Sequence, residues 1–440
     1  MAYGSKVKGV PSEMASKIGH LSVIEDEFVQ SLLKSFESAE LSDEEKANIP
    51  IEEVELGESA SKVICVDGSF AVVPHALKDH KRLAYIKIAA IGLNIDELEK
   101  ANKVIVNPEV VSKIISDYAT TQSTVLPLEN ISIPGKTLKD TLRESIFKSF
   151  EKLFEGKLLE VLVYLISRSW KKDFDLDAHF ECPYCGHKND VPPNTIKFNC
   201  ENSKCTSGTL TIVDYLGFLS QNPDDQSDDK VARDLMLVLE HLTLFYYLKE
   251  LEENGETLSD YLLLKDGPLL LSGQYSRLVD PMREYIDHLQ EIGNPPNFLG
   301  VEKSGPFFTH GEDIKSVFQE ENQIFIPSNK YIFEKIKYSV SDDTQYGERV
   351  LYGSKLFYSP SKSNIYVLTI PIGNFKVNPT SNDFIGLKNV LATLNRLQSH
   401  RYDSGLSPIV AVNSIASMSF YPSNNILGRF TNHYINNSKE

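Results

Sequence analysis

KVICVDGSFAVV, residues 62–73, is a run of strand-forming apolar residues interrupted by an aspartate and a glycine. The pattern returns in LLLKDGPLLL, where Asp266 stands 199 positions after Asp67 and again precedes a glycine. Asp-Gly between apolar runs is a hairpin signal, because both residues tolerate the positive φ of a tight turn. Two such pairs, each closing a short run without polar alternation, also read as central strands of a sheet covered on both faces. Active groups in such sheets gather at strand ends. If the two strands are neighbours, Asp67 and Asp266 face each other, and paired carboxylates share a proton or hold a divalent cation.

The chain has 440 residues, enough for two or three domains or for one large domain with an insertion. An apolar content of 41% with 24% charged residues is ordinary for a globular protein, so a sizeable core is expected. A net charge of −16 argues against coating nucleic acid by bulk electrostatics, but not against a nuclease whose acids lie in a locally basic groove. Acidic runs such as LSDEEKANIPIEEVELGE (41–58) and NPDDQSDDK (222–230) read as solvated loops. The apolar stretch LLEVLVYLIS at 158–167 is too short to span a bilayer and contains Glu160. MAYGSKVKGVPSEMASK lacks the apolar segment of a secretory signal, so a cytoplasmic protein with no membrane partner is the expectation.

Four of the five cysteines fall in CPYCGHKNDVPPNTIKFNCENSKC. Cys182 and Cys185 form C-x-x-C, Cys200 and Cys205 form C-x-x-x-x-C, and residues 186–199 separate the pairs. That spacing fits a closed tetrahedral zinc site on two knuckle turns, structural rather than catalytic. His187 is an alternative ligand that four cysteines make unnecessary, and a surface for DNA or protein remains a second reading of the ribbon.

Helical periodicity runs over 12–39, with Phe28, Leu32, Leu33 and Phe36 on one face, and again over about 135–170 and 231–253. Strands are expected at 83–93 and about 322–327, 350–358 and 364–371, a mixed α/β layout. The third region brings Glu240, in LMLVLEHLTLF, into apolar surroundings. It reads either as a core glutamate satisfied by a nearby Lys or Arg or as a third carboxylate ligand. Asp67, Glu240 and Asp266 together are hard oxygen donors suited to Mg²⁺ or Mn²⁺, and such sites hydrolyse phosphodiesters. A haloacid-dehalogenase-type phosphatase needs a nucleophilic aspartate where this chain has Cys65, which disfavours that reading.

The segments VDGS, VLEHL, KDGPL, VEKSGPFFTHGEDI (301–314), YGERVLYGSKLFY (346–358) and IVAVNSIASMSFYP (409–422), taken together, resemble the NurA nucleases, in particular bacterial members with a zinc-ribbon insertion. The resemblance runs from ASKIGH at 15–20 to the C-terminal region. It implies an RNase H-like mixed sheet flanked by helices. The division would be an N-terminal helical segment over 1–50, a nuclease domain in two parts over 51–175 and 213–440, and the zinc ribbon over 176–212. It further implies Mn²⁺-dependent (or Mg²⁺-dependent) 5′-to-3′ exonuclease and single-strand endonuclease activity, a homodimer, and a hexameric HerA-like ATPase partner. Such a pair serves DNA end processing or anti-phage defence.

Asp67, Glu240 and Asp266 match the family's metal carboxylates. Lys303 and Lys355, in strand-and-glycine contexts, are expected near phosphate, with Lys355 in a catalytic role; ordinary surface lysines are the plainer reading. His310 is a candidate acid/base or phosphate group, or an exposed loop histidine. Archaeal members carry a Tyr and a His in a C-terminal segment where this chain has Gly405 and Asn413. Asparagine can ligate a hard cation or bond a phosphate but cannot shuttle a proton, and Tyr402 is the candidate spatial substitute. Lys17 and His20 enter through the resemblance, at a partner contact. A NurA-like adaptor without catalysis, binding DNA and the ATPase, is the alternative.

Overall fold

The computed structural model describes residues 23–35, 41–74, 82–97, 99, 119–172, 176–205, 209–219, 229–337, 339, 345–362, 364–398, 405–418, 426–431 and 433–434. After a two-residue strand, β1 (Glu52–Glu53), comes β2 (Lys62–Pro74), which contains Asp67 and Gly68. The Asp-Gly pair does not turn the chain. β2 runs straight through it, paired antiparallel with β3 (Arg82–Asn94) from Lys62 opposite Asn94 to Pro74 opposite Arg82. The tight-turn reading needs positive φ, and Gly68 is not among the residues that adopt it. Val63, Ile64, Cys65 and Val66 before the pair, and Ala71 and Val73 after it, are all buried, so sheet packing on both faces overrides the local turn preference.

β3 pairs antiparallel with β4 (Ala119–Glu129). The chain then enters the expected helical region, which is two helices: α1 (Leu138–Lys152) and α2 (Lys157–Ile166). Phe154 and Glu155 take positive φ between them, and Gly156 follows at φ 87°, so the axis changes direction there. Next comes the cysteine-rich segment, with β5 (His179–Glu181) paired to β6 (Lys188–Asp190) and β7 (Lys197–Asn199) paired to β8 (Thr209–Thr211). α3 (Lys230–Glu253) buries Leu242, Leu244 and Phe245 on different sides, as a helix in the middle of a protein must. It leads into β9 (Tyr261–Asp266), α4 (Val279–Glu291), β10 (Asn297–Glu302), α5 (Pro306–Ile314), β11 (Gln323–Phe325), β12 (Ser354–Ser361), β13 (Asn364–Ile370), α6 (Leu387–Leu397) and α7 (Ser407–Ala416).

The sheet order is β1-β11-β12-β13-β10-β9-β2-β3-β4. β2, β9 and β10 are mutually parallel neighbours, and the remaining pairs are antiparallel. An antiparallel meander β2-β3-β4, extended by two parallel strands and flanked by helices, is the RNase H-like mixed α/β sheet. Side chains alternate across β2, so Ile64 and Val66 join one core with α3 residues Leu235, Leu239 and Phe245. Val63 and Cys65 join another with Leu391 and Leu394 of α6 and Ile409 and Val412 of α7.

The chain divides into two compact units, Met1–Asn48 and Ile49–Glu440, and the second contains the ribbon together with the whole sheet. In the first, a helix over Glu27–Ser35 carries the expected face, with Phe28, Leu32 and Leu33 exposed. Phe36, like Lys17, His20 and Tyr402, lies outside the described residues. No helix of the described residues is long and apolar enough to cross a membrane.

The four cysteine thiols gather within 4.8 Å of one another, the one such set of candidate metal ligands among the described residues. Cys182 Sγ lies 3.8 Å from Cys205 Sγ and Cys185 Sγ lies 3.7 Å from Cys200 Sγ. Tetrahedral zinc with Zn–S bonds of about 2.3 Å places its sulfurs about 3.8 Å apart, so the cluster fits zinc. The first knuckle is closed by the Gly186 N–H donating to Cys182 O at 2.9 Å, with Gly186 at φ 69°. The Cys185 thiol is held down at about 7, chiefly by the backbone N–H of His187, whereas burial pushes Cys182 up to about 12 and raises Cys200. His187 contributes backbone groups to this turn, and its ring is not needed.

The ribbon is not a separate bead. Phe180, Val191 and Leu210 continue the α1 to α4 core, and Arg143 of α1 grips Asp214 at 2.6 Å and Thr209 O at 2.9 Å. Losing zinc should therefore cost stability beyond the ribbon. We expect one zinc per chain by elemental analysis. Cys200→Ser should lower the melting temperature by about 10 °C or more. A zinc-free wild type that melts like the variant would contradict the zinc assignment.

Candidate metal centre

β9 follows β2 in parallel register only as far as Lys265 opposite Val66. At Gly267, with φ 102°, the backbone swings away, and its N–H donates to Val301 O of β10 at 2.8 Å. β2 continues from Asp67 without a partner on that side. The result is a fork in the sheet, and the carboxylates meet there. Asp266 ends its strand as expected, whereas Asp67 sits in the middle of one.

Alternation puts Asp67 and Asp266 on the side of the sheet that carries α7. That helix is tied down at its C-terminal end, where Ser69 Oγ donates to Ala416 O and Lys87 Nζ to Ile415 O. Its Asn413 Nδ2 donates to Asp266 Oδ2 at 2.8 Å, and Lys303 Nζ, just past β10, donates to the same oxygen at 2.9 Å.

Glu240 arrives from the opposite side, on α3. It reaches the fork because Gly68 has no side chain: a Cβ there would lie 2.6 Å from Glu240 Oε1 and 2.9 Å from Met236 Cγ. The nearby Gly68 N–H favours the ionised form of both the Asp67 and the Glu240 carboxyl. Glu240 Oε2 is 2.7 Å from Lys265 Nζ, and that ammonium also donates to Asp266 O at 2.8 Å. The satisfied core glutamate read from the sequence is thus what the structure contains, and the same residue still borders the other two acids.

Burial and like charge set the electrostatics. The Asp67 carboxyl is pushed up to about 7, first by burial, then by the neighbouring Glu240 and Asp266. Burial raises Glu240 as well, against the opposing pull of Lys265. The buried Cys65 thiol, beside the same acids, is raised well above its ordinary value. The three carboxylates do not all come within 4.8 Å of one another, the spacing that the cysteines meet. Carboxylate oxygens are the hard donors that Mn²⁺ or Mg²⁺ prefers, and of the three Asp67 and Asp266 are the pair on one side of the sheet.

Two expected participants have partners other than the three carboxylates. Lys355 is neither a surface lysine nor a partner of the three carboxylates. It is 4% exposed, ion-paired with Glu302 at the end of β10 and 4.1 Å from the centre of the Phe307 ring. His310 is no loop histidine either; it is buried on α5, its Nε2 3.0 Å from the Tyr331 hydroxyl and its ring against Phe357. Packing explains both, since VEKSGPFF starts a helix with Gly305 at φ 93° and Pro306 in its first turn, which turns His310 inward. Lys265 is the residue that sequence reasoning passed over. The available signal was a lone lysine inside the apolar run YLLLKD.

No family model matches the chain, and no curated protein does. Among solved structures it is similar to the NurA nuclease from Sulfolobus solfataricus, with 14% identity over 97% of each chain and a TM-score of 0.35. A second NurA structure is 11% identical over 95% of this chain and 98% of that one, with a TM-score of 0.30. NurA with manganese is 10% identical over 90% and 92%, with a TM-score of 0.23. The chain resembles NurA along most of its length. At these identities and scores the likeness assigns no residue a role, and the chemistry has to come from the site itself.

Gly68→Ala should destabilise the protein by about 1–3 kcal/mol, because the new methyl meets Glu240, Met236 and Ile88; urea denaturation reads this directly. An unchanged midpoint would mean that Glu240 does not approach the strand. The folded Asp67 carboxyl keeps its proton to a higher pH than the unfolded one. Its contribution to stability in metal-free protein is therefore present below the ordinary value of 3.8 and lost as pH rises to about 7. Asp67→Asn should flatten that fall between about pH 4 and 7, and an identical pH profile in the variant would contradict it.

Proposed function

We propose that the chain is a metal-dependent deoxyribonuclease that hydrolyses phosphodiester bonds. The observation that carries the reading is the Asp67 carboxyl, raised to about 7 by burial and by Glu240 and Asp266 at an open fork of the sheet. A carboxyl raised by burial and by neighbouring acids is relieved by a cation, and Mn²⁺ or Mg²⁺ is the hard partner for oxygen donors. When bound, such an ion supplies Lewis-acid polarisation of a phosphodiester. Asp67 and Asp266 would hold it, with Asn413 keeping the Asp266 carboxylate in one orientation. Lys303, whose side chain is 42% exposed, is available to meet a phosphate oxygen from the solvent side. The same reading, through the sequence resemblance, takes in 5′-to-3′ exonuclease and single-strand endonuclease action, a homodimer, and a HerA-like hexameric ATPase that delivers DNA in end processing or anti-phage defence.

A non-catalytic adaptor is the second reading. It is favoured by one feature: Glu240 and Asp266 already have ammonium partners in Lys265 and Lys303.

Cleavage of end-labelled single- and double-stranded DNA, with Mn²⁺, Mg²⁺ or EDTA and with or without the ATPase, separates the two. The nuclease reading expects metal-dependent cutting that Asp67→Ala reduces by about a thousandfold or more while the fold and DNA binding persist. Cutting undiminished in Asp67→Ala would remove the site, and a folded protein that binds DNA but never cuts would favour the adaptor.

A further inference from the structure

We propose that the Lys265 ammonium is a built-in second cation, which holds Glu240 on the α3 side of the sheet and limits the carboxylate site to one divalent ion beside Asp67 and Asp266. The inference rests on the metal-site reading above and concerns how many ions that site accepts.

Lys265 and Asp266 are consecutive in β9, so their side chains leave the sheet on opposite faces. Lys265 goes toward α3 and Glu240, while Asp266 goes toward α7 and Asn413. The ammonium is buried, with Lys265 3% exposed, and two of its donors are committed, to Glu240 Oε2 at 2.7 Å and to the Asp266 carbonyl at 2.8 Å. The backbone is shaped around it. At Gly267 the positive φ brings the preceding carbonyl onto Nζ, and an added Cβ would lie 3.4 Å from that nitrogen.

Sites with two divalent ions hold them about 3.5–4 Å apart and need a carboxylate reaching to each. Here the glutamate that would serve the second ion is occupied. One oxygen faces the ammonium, and the other stands where Gly68 leaves room for it. Charge leads to the same limit. With Asp67, Glu240 and Asp266 ionised, the three negative charges face two positive ones, from Lys265 and Lys303. One divalent cation turns a net −1 into +1, whereas two would leave +3 in a buried site.

Lys265 is thus a positioning residue, and ion stoichiometry reads its role without any cleavage assay. The test is a Mn²⁺ titration of the zinc-loaded full-length chain, followed by the electron paramagnetic resonance signal of free Mn²⁺. Wild type and Lys265→Arg, which keeps the charge, should each bind one Mn²⁺ per chain. Lys265→Met should bind two, and adding Glu240→Gln to it should return the count to one. Circular dichroism and zinc content report whether each variant is folded. Should Lys265→Met not fold, the wild-type and Lys265→Arg counts still decide. Two ions per wild-type chain, or one in folded Lys265→Met, overturns the role given to the lysine. No Mn²⁺ bound by wild type overturns the metal-site reading itself.

Discussion

β2 and β9 run parallel and in register from Lys62 and Tyr261 to Val66 and Lys265, and there they part because Gly267 turns β9 toward Val301. A register one residue longer would pair Asp67 into the sheet beside Asp266 and close the edge between them. Ending where it does, the pairing leaves an unpaired notch between central strands whose apolar residues are buried on both faces. Each acid enters the notch from a different element: Asp67 from a continuous strand, Asp266 from a strand end, and Glu240 from a helix through the gap at Gly68. The apolar cores on the two faces hold those elements in place, α3 against one and α7 against the other.

That arrangement concentrates charge where water is scarce, and the surrounding protein answers it unevenly. Glu240 receives a buried ammonium, and Asp266 receives a lysine and an amide at its rim. Asp67 receives a backbone N–H, and its carboxyl is raised to about 7. The least compensated member is the one inside β2, where pairing to β3 continues while pairing to β9 has ended. An under-neutralised carboxylate beside a partly buried Asp266 is where a cation gains most by binding.

Much of this was legible beforehand, and the reasons differ from residue to residue. Acids inside apolar runs stand out in sequence, which is why Asp67, Glu240 and Asp266 could be picked out together. Cysteine spacing carries its own geometry, so the ribbon could be read from four residues. The Asp-Gly turn at Asp67 failed because the apolar packing that carries β2 straight through the pair comes from α3 and α7, far along the chain. Lys355 and His310 read as phosphate or acid/base candidates, or else as surface groups, because glycine and polar residues stand beside them in the chain. Only the assembled sheet and α5 bury them against Glu302 and Tyr331. Lys265 was hidden for the opposite reason: a strand-interior lysine has meaning only once the partner on the facing helix is known.

The central claim is that the fork between β2 and β9 holds a divalent cation. Crystals grown with Mn²⁺ and measured at the manganese absorption edge test it most directly. The account predicts an anomalous peak coordinated by Asp67 and Asp266, separate from the zinc signal at the four cysteines. Ordered, well-resolved carboxylates with no anomalous density between them, at saturating Mn²⁺, would contradict it.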